Sequence, residues 1–201
     1  MKSNPKPITA VAPFVLALFM AAPAVPAVAA TMEGVQFEES TTIAGNKLQL
    51  NGLGLRAVSI LKGYVAGLYL SRKATTAEEA MAAPGPKRVQ MRLLLDAPPQ
   101  VFNKALISGI RKNANEAQLA ALQERTDQFE AMITAAGNLG KGDTVNLDFV
   151  PGKGMTLSVN GKQQPESIPG DDFYNAVLGI FIGEHPVDAK MKKGLLSQAP
   201  E

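Results

Sequence analysis

Two consecutive apolar segments, each carrying β-branched or aromatic residues and interrupted by glycine, most constrain what this chain can fold into. The first runs from Lys47 to Ile60 and the second from Leu61 to Leu70, with glycines at positions 52, 54, 63 and 67. Segments of this kind are typical of paired strands, and glycine inside a strand marks a bulge or a close backbone approach. The sequence therefore predicts a strand pair that carries a permanent cation, Arg56, after a Gly-x-Gly spacing.

Strand and helix patterns follow along the rest of the chain. Residues 31–46 predict only a short strand and a turn. A further strand is predicted over 87–95, and a hairpin over 144–150 and 155–159. A short strand should follow the Asn160-Gly161 turn signal. Helices are predicted from the capping-box pattern at 75–79 to about 83, from Pro98-Pro99 onwards, over about 115–136 before Gly137, over 171–182 and over 188–196. Together they indicate an α+β layer fold, an antiparallel sheet with helices on one side.

The N-terminus has the pattern of a secretory signal peptide. Lys2 and Lys6 precede an apolar run from Ile8 to Val25, which ends in small residues at 27–30. This order predicts cleavage after Ala29 or Ala30, so that residues 1–30 are the signal peptide and residues 31–201 one domain. We expect an exported, periplasmic protein with no membrane span after cleavage. A retained anchor is the weaker interpretation, because Pro13 and Pro23 interrupt the apolar run.

Charge and composition exclude several classes of function. The chain has 20 Lys and Arg against 18 Asp and Glu, and removal of the predicted signal peptide takes two lysines away, which leaves no net charge. A neutral domain without tryptophan offers no surface for nucleic acid. Zero cysteines and the single histidine, His185, exclude thiol catalysis and histidine-rich metal sites. We therefore expect no cofactor, no metal and no nucleic acid, and a monomer.

Five short motifs, in order, resemble the chalcone isomerase-like domain. They are G-x-G-x-R at 52–56, V-A-G-L-Y-L at 65–70, the Asn160-Gly161 hairpin, I-x-G-x-x-F at 168–173 and I-G-E-H-P-V at 182–187. The resemblance covers most of residues 47–196. It implies an open-faced sandwich, in which a large antiparallel sheet packs against a layer of helices, with a ligand cleft between the two layers.

The resemblance also implies a role for Arg56. In plant chalcone isomerases the arginine at this motif position is the main catalytic residue, and the enzymes cyclise a chalcone to a flavanone within one molecule. A guanidinium stays charged at any relevant pH, so its contribution would be electrostatic stabilisation of the phenolate and the developing enolate. Catalysis of this kind, as an intramolecular lyase, is one of two hypotheses.

The other positions of the plant enzymes are changed in this sequence. Tyr64 stands where those enzymes have a threonine that holds a catalytic water. Phe102 and Gly109 stand in the nearest register to their tyrosine and asparagine, and residues 171–179 contain no serine or threonine. The pattern is more similar to the non-catalytic, fatty-acid-binding branch of the family, in which the arginine and a tyrosine of the following strand hold a carboxylate.

The main hypothesis is therefore a protein that binds a small hydrophobic acid, a fatty acid or a polyphenol, through Arg56. Arg56, Tyr64 and Phe102 are the predicted ligand-binding residues, with the glycines at 52 and 54 letting a ligand approach the backbone. A buried guanidinium without a partner is costly, so we expect the site to hold water or Arg56 to pair with a carboxylate of the protein. The alternative for Arg56 is a strand residue paired with a surface acid.

Overall fold

The structure is a computed structural model that describes residues 30–198. The predicted signal peptide lies outside the described residues except for Ala30, so its cleavage stays a prediction. The strands are β1 (Ala30–Met32), β2 (Val35–Phe37), β3 (Ser40–Ile43), β4 (Asn46–Val58), β5 (Leu61–Leu70), β6 (Lys87–Leu93), β7 (Thr144–Val150), β8 (Gly154–Val159) and β9 (Lys162–Gln163). The helices are α1 (Ala77–Met81), α2 (Pro99–Lys112), α3 (Glu116–Ala136), α4 (Asp171–Ile182) and α5 (Ala189–Leu195).

Seven strands form one antiparallel sheet in the order β3-β4-β5-β6-β7-β8-β9, so every strand pairs with its neighbours in the sequence. The predicted pairing of the two glycine-containing segments is confirmed, and its register shifts twice, between Leu50 and Gly52 and between Arg56 and Ala57. The first shift leaves Asn51 as an extra, buried residue. Its side chain hydrogen-bonds Ala74 and Leu195, which fastens the segment after β5 and the end of α5 to β4.

The two faces of the sheet bury different clusters. Alternate residues of β5, such as Ala66, Leu68 and Leu70, belong to the larger core between the sheet and the helices. The residues between them, Val65 and Tyr69, belong to a smaller cluster that includes Phe37 of the β1–β2 hairpin. Since successive side chains of a strand point to opposite faces, β1 and β2 cover the face opposite the helices. The α+β open-faced sandwich is confirmed, with the second face covered in part.

The helices begin and end where local chemistry predicts. Thr76 and Glu79 form a capping box at α1, and Asn115 and Gln118 form one at α3. Gly137 follows α3 with φ +81°, a conformation that glycine adopts without steric cost. Helix α4 has eight buried residues of its twelve and is the central helix of the layer.

The structure corrects two boundaries. Residues 31–46 hold parts of three short strands, β1, β2 and β3, and not one strand and a turn. Strand β6 stops at Leu93, so Leu95 lies beyond it and is exposed. None of the helices within residues 30–198 is long and apolar enough to cross a membrane.

Candidate functional site

A mostly apolar cavity of about 260 Å³ lies between the start of β5, the end of β6 and helices α2 and α4. This volume is just below the range of roughly 300–1,000 Å³ that is usual for drug-sized ligands, so the cavity suits a small one. Its lining residues are Arg56, Val58, Gly63, Tyr64, Met91, Leu93, Leu95, Asp96, Ala97, Val101, Phe102, Ala105, Leu106, Ile180, Phe181 and Val187.

All three residues named from the sequence line this one cavity. Arg56 and Tyr64 are direct cross-strand partners on β4 and β5, and Phe102 comes from the first turns of α2. The second register shift falls between this pair and the β4–β5 turn, and it sets Arg56 opposite Tyr64. The pairing nearer the turn, Ala57 with Lys62, would by itself continue to Arg56 with Gly63. Tyr69 has the opposite parity and lies on the other face, where its hydroxyl donates a hydrogen bond to the Glu38 carbonyl oxygen at 2.9 Å.

The guanidinium of Arg56 has two neighbours. Nη1 donates a hydrogen bond to the Ala57 carbonyl oxygen at 2.7 Å and lies 3.6 Å from Oδ2 of Asp188. The side chains of Arg56 and Asp188 are 25% and 16% exposed, so the pair is neither fully buried nor a free surface pair. The carboxylate that pairs with Arg56 is therefore that of Asp188. At 3.6 Å the contact leaves donor capacity of the guanidinium for a second anion.

Asp188 reaches Arg56 because helix α5 lies flush against strand β4. A Cβ atom at Gly52 would be 2.1 Å from the Gly194 carbonyl oxygen, and one at Gly54 would be 2.4 Å from that of Met191. The prediction that these glycines admit a ligand is wrong, because the backbone of α5 occupies the space. Their missing side chains instead let α5 dock. Its N-cap residue, Asp188, accepts hydrogen bonds from the backbone N–H groups of Lys190 and Met191.

Burial raises the pKa of the Tyr64 hydroxyl, and the nearby Asp188 carboxylate raises it further while Arg56 opposes the shift. Desolvation is the largest cause, because the charged phenolate is the form that burial disfavours. Tyr64 is therefore a neutral hydrogen-bond donor throughout the physiological range. A neutral phenol beside a guanidinium presents two kinds of donor to an anion in the cavity.

The packing of helix α2 shows why the asparagine of the plant enzymes cannot simply be introduced at position 109. A Cβ atom at Gly109 would be 2.7 Å from Cγ2 of Ile180, so α2 packs directly onto α4 at this glycine. Gly109 is also buried. An asparagine here would push the two helices apart, and the position serves helix packing.

Asp188 is a site residue that the sequence did not predict. Asp188 is the first residue of the helix predicted over 188–196, but its contact with Arg56 joins positions 132 residues apart, which no local signal reveals. His185, by contrast, is exposed, and its backbone is held by the Asn113 side chain. Within residues 30–198 no group of three or more His, Asp or Glu side chains could hold a metal ion.

Comparisons with known proteins agree with the fold. None of the curated proteins matches the sequence significantly. Among solved structures, a fatty-acid binding protein of Arabidopsis thaliana superposes with a TM-score of 0.65 at 15% identity, covering 84% of this chain and 96% of that one. The family described as chalcone isomerase-like matches residues 29–197. The chain therefore belongs to the chalcone isomerase-like family.

Proposed function

We propose that the protein binds a small hydrophobic acid, such as a medium-chain fatty acid, in the cavity beside Arg56. The observation that carries this proposal is the position of Arg56 and Tyr64, which are cross-strand partners in the lining of one apolar cavity. The carboxylate would take hydrogen bonds from both side chains. The acyl chain would lie against apolar residues such as Leu106, Ile180 and Phe181.

The energetics favour an acid over a neutral ligand. A hydrogen bond that involves a charged group contributes about 1.5–3 kcal/mol, and a guanidinium can donate two of them to one carboxylate. Each methylene group that leaves water adds about 0.8 kcal/mol. The Arabidopsis protein of the same fold is described as binding fatty acids, which supports the same ligand class here.

The alternative is intramolecular cyclisation of a chalcone, for which Arg56 is the one retained group. Tyr64 replaces the threonine that holds the water in plant enzymes of the family, and the helix-packing Gly109 stands in the register of their asparagine, which argues against it. Poor positioning of reacting groups removes much of the rate enhancement. An absorbance assay with a chalcone substrate should show no turnover or a rate far below that of a plant enzyme, and a plant-like rate would favour the lyase.

Native mass spectrometry tests the binding proposal. The purified protein is incubated with decanoate or with decanol, which has a similar chain and no charge. We expect a one-to-one adduct with decanoate and little adduct with decanol. Equal adducts with both compounds would show that Arg56 does not select the head group, and no adduct with either would contradict the proposal.

We also propose that the protein is exported to the periplasm. The support is the basic, apolar and small-residue pattern of residues 1–30. N-terminal sequencing of the protein from the exported fraction should find Ala30 or Thr31 as the first residue. An uncleaved chain in the membrane fraction would contradict export as a processed protein.

A further inference from the structure

The large hydrophobic side chains that are exposed within residues 30–198 all lie near one end of the sheet. There are five of them, 43–89% exposed, and we call them the apolar rim: Val58, Ile60, Leu61, Leu95 and Val101. Single exposed aliphatic residues are ordinary on a protein surface, but a group of them marks an interaction site. Their concentration in two short segments of the chain, 58–61 and 95–101, therefore needs an explanation.

The apolar rim is continuous with the cavity. Val58, Leu95 and Val101 line the cavity and are also exposed, so they form its mouth. Leu61 is the direct cross-strand partner of Val58. A hydrogen bond of 2.8 Å from the Leu94 N–H to the Gly63 carbonyl oxygen holds the segment after β6 beside the start of β5. A hydrophobic ligand that enters here passes over aliphatic side chains.

The tip of the β4–β5 hairpin projects an aliphatic side chain into solvent. The turn between Val58 and Leu61 consists of Ser59 and Ile60, and Ser59 has φ +55°, as the first residue of a two-residue hairpin turn often does. Ile60 is 89% exposed. An isoleucine with this exposure buries little surface against the protein, whereas a short protruding turn can insert into a hydrocarbon layer.

The two cations beside the rim are paired with acids of the protein. Nζ of Lys62 lies 2.6 Å from Oε2 of Glu33, and Arg56 faces Asp188. At the other side of the mouth, Asp96 accepts a hydrogen bond from the Lys141 backbone N–H. This end of the molecule therefore presents aliphatic surface with two ion pairs and one hydrogen-bonded carboxylate, which suits an interface without strong charge of its own.

We propose that the apolar rim inserts into the surface of a phospholipid bilayer, so that the mouth of the cavity opens onto the hydrocarbon that holds the acid. This inference rests on the proposed function. The rim offers only five exposed large apolar side chains as the core of an interface, whereas a stable protein interface engages roughly 20–30 residues of all types a side. A bilayer needs no complementary shape, and insertion of a few aliphatic side chains gives reversible binding that scales with the buried apolar area.

The absence of tryptophan from the sequence makes the test specific. The variant Ile60→Trp places one indole at the tip. The matched control Lys153→Trp places one in the exposed β7–β8 turn, at the opposite end of the antiparallel strands. With phosphatidylcholine vesicles, the emission of Ile60→Trp should shift to shorter wavelength and be quenched by brominated lipid, while that of Lys153→Trp should stay unchanged. This readout reports the tip itself, whatever residues 1–29 do.

Three results would overturn the docking proposal. An Ile60→Trp spectrum unmoved by vesicles would show that the rim does not insert. A shift that appears on concentrating the protein without vesicles would show that a second copy covers the rim. A shift that occurs equally in Lys153→Trp would show unspecific adsorption.

Titration of the same two variants with decanoate in vesicle-free buffer separates the two proposals. If the variants bind decanoate but vesicles do not shift the Ile60→Trp spectrum, the docking proposal is overturned and the proposed function stands. Insertion without acid binding supports docking and contradicts the proposed function.

Discussion

Asp188 and a bound carboxylate would compete for the same cation. Asp188 lies 3.6 Å from Arg56 and is held in place by its hydrogen bonds as the N-cap of α5. A ligand anion therefore meets a guanidinium that is already partly neutralised. The Asp188 carboxylate stabilises the Arg56 guanidinium when no ligand is bound, and it also limits the affinity of the site for anions.

Asp188→Asn should bind decanoate more tightly. Asparagine caps a helix about as well as aspartate, so α5 keeps its N-terminus while the competing charge disappears. Because the pair is partly exposed, the gain should be modest, roughly 2- to 5-fold in Kd. Isothermal titration measures it, with Asp96→Asn as the matched control, since Asp96 lines the same cavity but does not pair with Arg56. An unchanged or weaker affinity in Asp188→Asn would contradict the competition.

Tyr64→Phe should weaken decanoate binding by roughly 10- to 100-fold, the loss expected for one hydrogen bond to a charged group. The ring stays, so the apolar lining is unchanged and any weak affinity for decanol should not move. Isothermal titration with both ligands separates the hydroxyl from the ring. An equal loss for both ligands would mean that Tyr64 acts by packing alone.

At the scale of elements, the contact between α5 and β4 positions the site. Gly52 and Gly54 on the strand and Gly194 on the helix leave room for the two backbones to touch. The buried Asn51 ties the C-terminal end of α5 to the strand by a hydrogen bond of 2.7 Å to the Leu195 carbonyl oxygen. A small displacement of α5 would thus move Asp188 relative to Arg56.

Gly54→Ala should destabilise the protein by about 1–3 kcal/mol, the usual cost of overpacking. The added methyl group would lie 2.4 Å from the Met191 carbonyl oxygen and 2.6 Å from its Cγ, so the helix must move. Urea unfolding gives the free energy difference. Gly63→Ala is the control, because its methyl group would meet no atom closer than the Arg56 carbonyl oxygen at 3.5 Å. Equal stabilities of the two variants would show that α5 docking does not depend on Gly54.

Local sequence signals correctly predicted those features that depend only on residues close together in the sequence. The capping box of α1, the Asn160-Gly161 turn and the glycine after α3 each act within a few residues, and each lies where the sequence placed it. The role of Gly52 and Gly54 could not be read in the same way. A missing side chain shows that something approaches the backbone, but the approaching group is a helix about 140 residues further on.

At the scale of the whole molecule, the β1–β2 hairpin and the helices bury opposite faces of one sheet. All three tyrosines of the chain are affected, because Tyr64 and Tyr174 pack on the helix side and Tyr69 on the hairpin side. Burial raises the pKa of Tyr69 to about 12 and raises those of Tyr64 and Tyr174 as well.

Alkaline titration should therefore show no tyrosine ionising near its ordinary pKa of about 10. A pKa that is raised in the folded state stabilises the protein fully below about pH 10, and that stability is lost as the pH rises above it, since the unfolded chain releases its protons first. Tyrosinate absorbance should then rise in one cooperative step that coincides with unfolding by circular dichroism. A separate ionisation near pH 10 in folded protein would mean that a tyrosine is exposed.

Spacing from the β4–β5 turn alone would set Gly63 opposite Arg56, so it is from the resemblance that Arg56 and Tyr64 could be predicted as partners. Asp188 and the rim residue Leu95 could not, since each reaches the cavity from a distant segment whose path only the packed molecule determines. The three short strands before β4 were missed in part for the same reason. β1 and β2 form a hairpin that covers Tyr69 and Val65, and β3 becomes a strand by pairing with β4.

The central claim is that Arg56 holds the head group of an acid in the cavity, and isothermal titration with decanoate beside a thermal melt tests it most directly. The account predicts that Arg56→Ala lowers the affinity at least tenfold while the thermal midpoint changes little, because the pair with Asp188 is partly exposed and contributes at most about 1 kcal/mol. Arg56→Lys should bind with intermediate affinity, since it keeps the charge and loses the fork of donors. Unchanged decanoate binding together with a clearly lower midpoint in Arg56→Ala would show that Arg56 is only a structural partner of Asp188, and would contradict the account.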